Sequence, residues 1–202
     1  MVGGSGDQAV TRHRTAKPGD DYYRTPEGTA WHGAAIAFYA AGVGLGEDPR
    51  IVDAFAGDGV LMDACDNVGL CPVGFDLHPR RKDIAKLDVA DLGNWQGVNG
   101  IRTAICNPAY THWREHVSLL LDTFHKVVAL GPCTLLDSKR QLPPGLVEVH
   151  FTPRPRFTGD QHPIPHAWLV FKNGHFGAAR MTVPPLETRS VINQLNKEAR
   201  KA

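Results

Sequence analysis

The sequence predicts an α/β domain: a mostly parallel sheet with helices on both faces and an antiparallel edge pair. Short apolar runs alternate with stretches of helical apolar spacing over most of the 202 residues. Several of those runs end in an acid or an amide followed by a Gly or Pro turn. The last two runs have no room for a helix between them, which makes them the antiparallel pair.

Residues 1–20 contain Gly, Lys and Arg but few large apolar groups, and read as a disordered leader. Thr25 precedes Pro26 and reads as the cap of a helix with Pro26 at its first position. That helix carries Trp31, Ala34, Ala35, Ile36, Phe38 and Tyr39, and ends at Gly42. Arg50–Ala54 is the first strand. A glycine loop follows, and then a helix from Val60 to about Val68, closed by Gly69. Cys71–Asp76 is the second strand, Ile84–Val89 a short third and Ile101–Cys106 the fourth. A helix covers about Thr111 to His125, with Trp113, Val117, Leu120, Leu121 and Phe124 on one face. Val127–Leu130 is the fifth strand, and Leu146–Phe151 and Ala167–Phe171 form the final pair. A Pro-, Arg- and His-rich segment longer than an ordinary loop joins that pair and is a candidate functional loop. One domain is expected over 21–184, with a polar tail at 185–202.

Composition narrows the function classes. The formal net charge of +1 gives no global field for a polyanion. Charge is uneven, however: Arg140, Arg154, Arg156, Lys172, Arg180, Arg189, Lys197, Arg200 and Lys201 face only Glu148, Asp160, Glu187 and Glu198. A basic second half suits phosphates or a solvated face alike. Cys65, Cys71, Cys106 and Cys133 form no CxxC pair, which fits reduced thiols in a cytoplasmic chain. No apolar signal-type stretch begins the sequence, and no run of 18 apolar residues suggests a membrane span.

The candidate binding chemistry lies at the strand ends. Asp53, Asp76 and Asp88 close successive strands, and Gly57 and Gly59 follow the first of them. Glycine lets backbone approach a ligand closely. An acid at the tip of the second strand accepts hydrogen bonds from ribose hydroxyls. Asp88 is placed to accept from an exocyclic amine, and Asp53 to meet an ammonium directly or through water. The dinucleotide fingerprint needs a third glycine where Met62 stands, and no Gly-Lys-Ser/Thr phosphate loop exists. A nucleoside with an amino-acid moiety fits best, and S-adenosylmethionine is the expected cofactor.

Asn107-Pro108-Ala109-Tyr110 closes the fourth strand. Methylating an exocyclic amine requires pulling the nitrogen toward tetrahedral geometry. The Asn107 carbonyl and the Pro108 backbone carbonyl can accept the two amino protons, and Tyr110 can stack on the ring. Positioning and electrostatics then carry the reaction without a tuned general base.

The order Tyr23-Arg24-Thr25-Pro26, Asp53-Ala54-Phe55-Ala56-Gly57-Asp58-Gly59, Gly74-Phe75-Asp76, Asp88 and Asn107-Pro108-Ala109-Tyr110 resembles the N6-adenine DNA methyltransferases. The small Dam-like enzymes of phages and prophages are the most similar. The likeness spans roughly residues 20–175. It implies the Rossmann-like class I methyltransferase fold and transfer of a methyl group to adenine N6 in duplex DNA, with the target base flipped out. It also implies cofactor-binding roles for Tyr23, Thr25, Phe55 and Leu77 beside the glycines and acids. The family's usual tetrapeptide has Pro where Ala109 stands, which bears on loop stiffness and rate. The same tetrapeptide chemistry also serves RNA bases and glutamine amides, and a non-catalytic relative would keep the fold alone.

DNA contacts are expected from Arg154, Arg156 and Phe157, since no insertion is large enough for a separate recognition domain. The same arginines also suit a solvated surface, and Phe157 a core position. Arg80, Arg81 and Lys82 read as surface charge. His112-Trp113-Arg114-Glu115-His116 matches an inverted zinc-protease pattern, but it lies on the helix expected after the tetrapeptide and lacks a third ligand. No metal site is expected, and the chain is expected to be a monomer.

Overall fold

A computed structural model describes residues 24–43, 46–137, 142–152 and 164–182. Tyr23, Arg154, Arg156 and Phe157 lie outside the described residues, as do the expected leader and tail.

The elements run α1 (Glu27–Ala41), β1 (Arg50–Asp53), α2 (Val60–Asn67), β2 (Cys71–Asp76), β3 (Ala85–Lys86), β4 (Thr103–Cys106), α3 (Trp113–Thr123), β5 (Lys126–Pro132), β6 (Leu146–Thr152), β7 (His166–Lys172) and β8 (Arg180–Thr182). The eight strands form one sheet in the order β3-β2-β1-β4-β5-β7-β6-β8. β1, β2, β3, β4 and β5 are parallel to one another, and β7 is antiparallel to both β5 and β6. The chain reverses its direction of travel across the sheet between β1 and β4. The crevice beyond their carboxyl ends is where α/β sheets hold ligands.

Strand alternation builds two cores. Val52, Ala104, Val127, Ala129, Leu169 and Phe171 face α3, where Trp113, Val117, Leu120 and Phe124 cover them. Ile51, Ile105, Val128, Leu130, Trp168 and Val170 face α1 and α2. These strand residues are buried on both faces, which is why they read as continuous apolar runs. Gly33 seats α1 on the sheet: a Cβ there would lie 2.3 Å from the Trp168 ring. Trp168 Nε1 in turn donates to the Thr29 carbonyl at 3.2 Å.

Several expectations need correction. The run from Ile84 to Val89 yields only the two-residue β3, because Asp88 accepts the Ala90 N–H at 3.0 Å and turns the chain into a 3-10 segment, Val89–Asn94. Pro26 is the N-cap residue of α1 rather than its first helical residue, and no side chain caps that end. Thr25 is engaged elsewhere, as described below. α3 starts at Trp113, two residues later than expected, because Tyr110–His112 forms a 3-10 turn. β8 was not foreseen; it is three residues long and lies outside the antiparallel pair as the edge strand.

Candidate active site

The glycine loop after β1 is fixed from below by β2. Asp76 Oδ2 accepts the Gly57 N–H at 2.8 Å, and its Oδ1 accepts the His78 N–H at 2.7 Å. Gly57 has φ 53° and Gly59 φ 83°, conformations that strain any residue with a Cβ. Gly59 opens α2, and Arg81 approaches so closely that a Cβ would lie 2.2 Å from its guanidinium. Its need for glycine is thus explained by the turn and by Arg81, which also pairs with Asp63 and Asp83 at 2.6 Å each.

A cavity of about 460 Å³ opens above this loop, within the roughly 300–1,000 Å³ typical of small-molecule sites. Its walls include Thr25, Phe55, Asp58, Asp76, Leu77, Asp88, Asn107, Ala109 and His116. The cavity therefore gathers residues from the segment before α1, the turns after β1, β2, β3 and β4, and α3. Asp76 and Asp88 bring acceptors, while Leu77, Leu87 and Val89 bring apolar surface. Asp58, between the two glycines, is held by Arg24 at 2.6 Å.

Asp53 lies beneath the cavity rather than in its wall. It is fully buried, and Oδ1 accepts the Phe55 N–H at a long 3.3 Å. Oδ2 is buried and has no hydrogen-bond partner among the described residues. Burial, with Asp76 and Asp58 nearby, pushes its pKa up to about 8 against the Phe55 hydrogen bond. The buried thiols of Cys65 and Cys106 are both raised, by burial first and by Asp53 second.

The tetrapeptide follows β4. Asn107 Nδ2 donates to Thr25 Oγ1 at 3.0 Å, across 82 residues. This contact takes up the hydroxyl that the sequence assigned to helix capping. Pro108 is buried, Ala109 lines the cavity, and the half-buried Tyr110 packs on His166 with ring centroids 5.4 Å apart. His166 sits at the start of β7, and its Nδ1 lies 2.8 Å from the Ile164 carbonyl.

The wall includes residues that the sequence reading does not assign to the site, among them Asp58, Arg80 and His116. Asp58 stands between two glycines, Gly57 and Gly59, which is the one sequence signal that points to it. Arg80 reads as surface charge in the sequence, yet it lines the cavity and its N–H donates to the Gly57 carbonyl at 2.9 Å. His116 was read only within the zinc-like pattern. In the fold, Trp113 of that pattern is core, with Nε1 donating to the Leu130 carbonyl. His112 pairs with Glu115 at 2.7 Å, and His116 enters the cavity. Among the described residues no three His, Cys, Asp or Glu side chains gather as a metal site, and no helix is long and apolar enough to cross a membrane. All four cysteines are free.

No protein-family model matches the sequence, and no curated protein matches it significantly. Solved structures do resemble the fold. A proposed RNA methyltransferase from Pyrococcus horikoshii aligns with TM-score 0.54 at 14% identity, over 79% of this chain and 90% of that one. The type IIG restriction endonuclease BpuSI aligns with TM-score 0.54 at 13% identity, over 84% of this chain but only 28% of that larger protein. A proposed class I S-adenosylmethionine-dependent methyltransferase from Listeria monocytogenes aligns with TM-score 0.52 at 11% identity, over 87% and 72%. The chain has the Rossmann-like fold of class I S-adenosylmethionine-dependent methyltransferases.

Proposed function

We propose that this protein is an S-adenosylmethionine-dependent methyltransferase acting on the exocyclic N6 amine of adenine in DNA. The observation that carries the reading is the Asn107–Thr25 contact at the wall of an acid-lined cavity at the sheet's switch point. That cavity fits the cofactor chemically. Asp76 and Asp88 accept from hydroxyls and an amine, and a cationic ligand suits a wall that carries Asp58, Asp76 and Asp88. Bound there, S-adenosylmethionine supplies an electrophilic methyl group.

The chain's own residues then prepare the acceptor. Thr25 holds the nitrogen end of the Asn107 carboxamide, so its oxygen serves as the acceptor for one amino proton. The Pro108 carbonyl takes the second, and Tyr110, braced by His166, provides the stacking face. Tyr23 joins Thr25 at the methionine end, and Phe55, Gly57, Gly59 and Leu77 shape the nucleoside end. Arg154, Arg156 and Phe157 contact the duplex.

The order of motifs supports DNA as the acceptor. The fold neighbours include a proposed RNA methyltransferase and a restriction endonuclease, so the test runs both nucleic acids. Labelled cofactor is incubated with unmethylated genomic DNA and, separately, with RNA, and nucleosides are identified by mass spectrometry. The expected product is N6-methyldeoxyadenosine. Label appearing only in RNA, or none in either, overturns the DNA reading.

A further inference from the structure

His116 has no role in the mechanism above, yet it reaches the same cavity as Asp88 and Asn107. Its ring packs on Phe55 with centroids 4.8 Å apart and planes at 42°. Nδ1 is buried and has no hydrogen-bond partner among the described residues. A buried polar atom left unpartnered costs about 1–3 kcal/mol. That atom has no accessible surface for a ligand to reach, so the nitrogen that the ring offers to the cavity is Nε2.

We propose that His116 is a specificity-determining residue of the cofactor pocket, its imidazole donating to N1 of the cofactor's adenine while Asp88 accepts from the adjacent amino group. The inference rests on the reading that this cavity takes S-adenosylmethionine. Burial, then His112, lowers the imidazole pKa, and Glu115 and Asp88 oppose this without reversing it. The ring is therefore neutral at pH 7 and carries one donor and one acceptor. An ionised carboxylate is acceptor only. Donor beside acceptor matches adenine, whose amino group donates and whose ring nitrogens accept. A 6-oxopurine inverts the pattern: its carbonyl meets the Asp88 carboxylate and its ring N–H meets the imidazole donor. A site built on such hydrogen bonds rejects the mismatched analogue strongly.

Calorimetric titration with S-adenosylhomocysteine and S-inosylhomocysteine tests this without any turnover. The wild type is expected to prefer the adenine form by about 100-fold or more. His116→Phe keeps an aromatic ring against Phe55 and removes both nitrogens. It should weaken S-adenosylhomocysteine about tenfold and narrow the preference by a similar factor, about the worth of one buried hydrogen bond. His116→Gln places an amide near Nε2 and should recover most of the preference. Thermal melts of each variant separate these effects from misfolding. If His116→Phe, folded, keeps both affinity and preference, the proposal is overturned while the cofactor reading stands. Failure of the wild type to bind S-adenosylhomocysteine overturns both.

Discussion

The turns after β1, β2 and β3 and the turn after β4 solve the same problem in two ways. In the first region each strand-end acid folds its own turn. Asp53, Asp76 and Asp88 each accept the backbone N–H two residues onward, from Phe55, His78 and Ala90. Such local side-chain-to-backbone bonds are why Asp favours turns. The β4 turn depends on partners far away in the chain. Asn107 is held by Thr25, Tyr110 by His166, and the helix behind them is anchored by Trp113 on the Leu130 carbonyl. On the nucleoside side each turn is thus folded by its own acid and then tied to its neighbours by Asp76–Gly57 and Arg24–Asp58, whereas the acceptor turn is held mainly from elsewhere in the chain.

The largest expected effect tests that division. Asn107→Ala should cut methyl transfer by about 10²–10³-fold, the scale of losing one positioned polar group. Binding of S-adenosylhomocysteine should remain nearly unchanged, because Asp76 and Asp88 stand on other turns. Equal loss of rate and binding would mean that the two regions form a single unit.

Asp53 shows that even the local region has a buried liability. Below about pH 4 the carboxyl is protonated in both folded and unfolded chains and contributes nothing to pH dependence. Between there and about 8 the unfolded chain ionises while the folded one keeps its proton, so stability falls as pH rises. Above about 8 the penalty is constant. Asp53→Asn removes this titration. Its stability relative to wild type, from denaturant unfolding at each pH, should climb from pH 5 to pH 8.5 by on the order of a few kcal/mol. A gap that stays flat with pH would mean that the native chain supplies Asp53 with a counter-charge.

Thr25→Val should be milder. It keeps the shape but removes the acceptor that Thr25 gives the half-buried Asn107 amide nitrogen, a cost of about 1 kcal/mol. Steady-state kinetics should show kcat lower by roughly tenfold, and Thr25→Ser should restore it. An unchanged kcat in Thr25→Val would sever the link between the segment before α1 and the acceptor.

The same division explains what the sequence made legible. Alternating strands, the glycine loop, the three acids and the tetrapeptide are local patterns, and all emerged at or within a few residues of their observed places. The fold class followed from them, although β8 did not: three residues of mixed character carry no period. Thr25 was singled out, but its apparent local job as a helix cap hid its long-range bond to Asn107. His116 was masked by a metal-like spacing whose aromatic member turned out to be core. No spacing rule reveals that α3 delivers His116 to Asp88, because that depends on how a helix packs against a turn from another strand.

The smallest effect concerns an exposed clip between separate elements on the nucleoside side. Arg81 joins Asp63 of α2 to Asp83 and lies 3.3 Å from the Gly59 carbonyl. Its side chain is 31% exposed and its carboxylate partners more than half exposed, so water and salt screen these pairs. If the turns after β1 and β2 are held by Asp53, Asp76 and the positive-φ glycines, Arg81→Ala should cost less than about 1 kcal/mol in denaturant unfolding. The difference should shrink further in 1 M salt, where the screening length falls to about 3 Å. A loss above about 2 kcal/mol, unaffected by salt, would show that the clip rather than the strand-end acids sets the loop. The contrast between a locally built nucleoside side and a remotely built acceptor side would then fail where it is expected to be firmest.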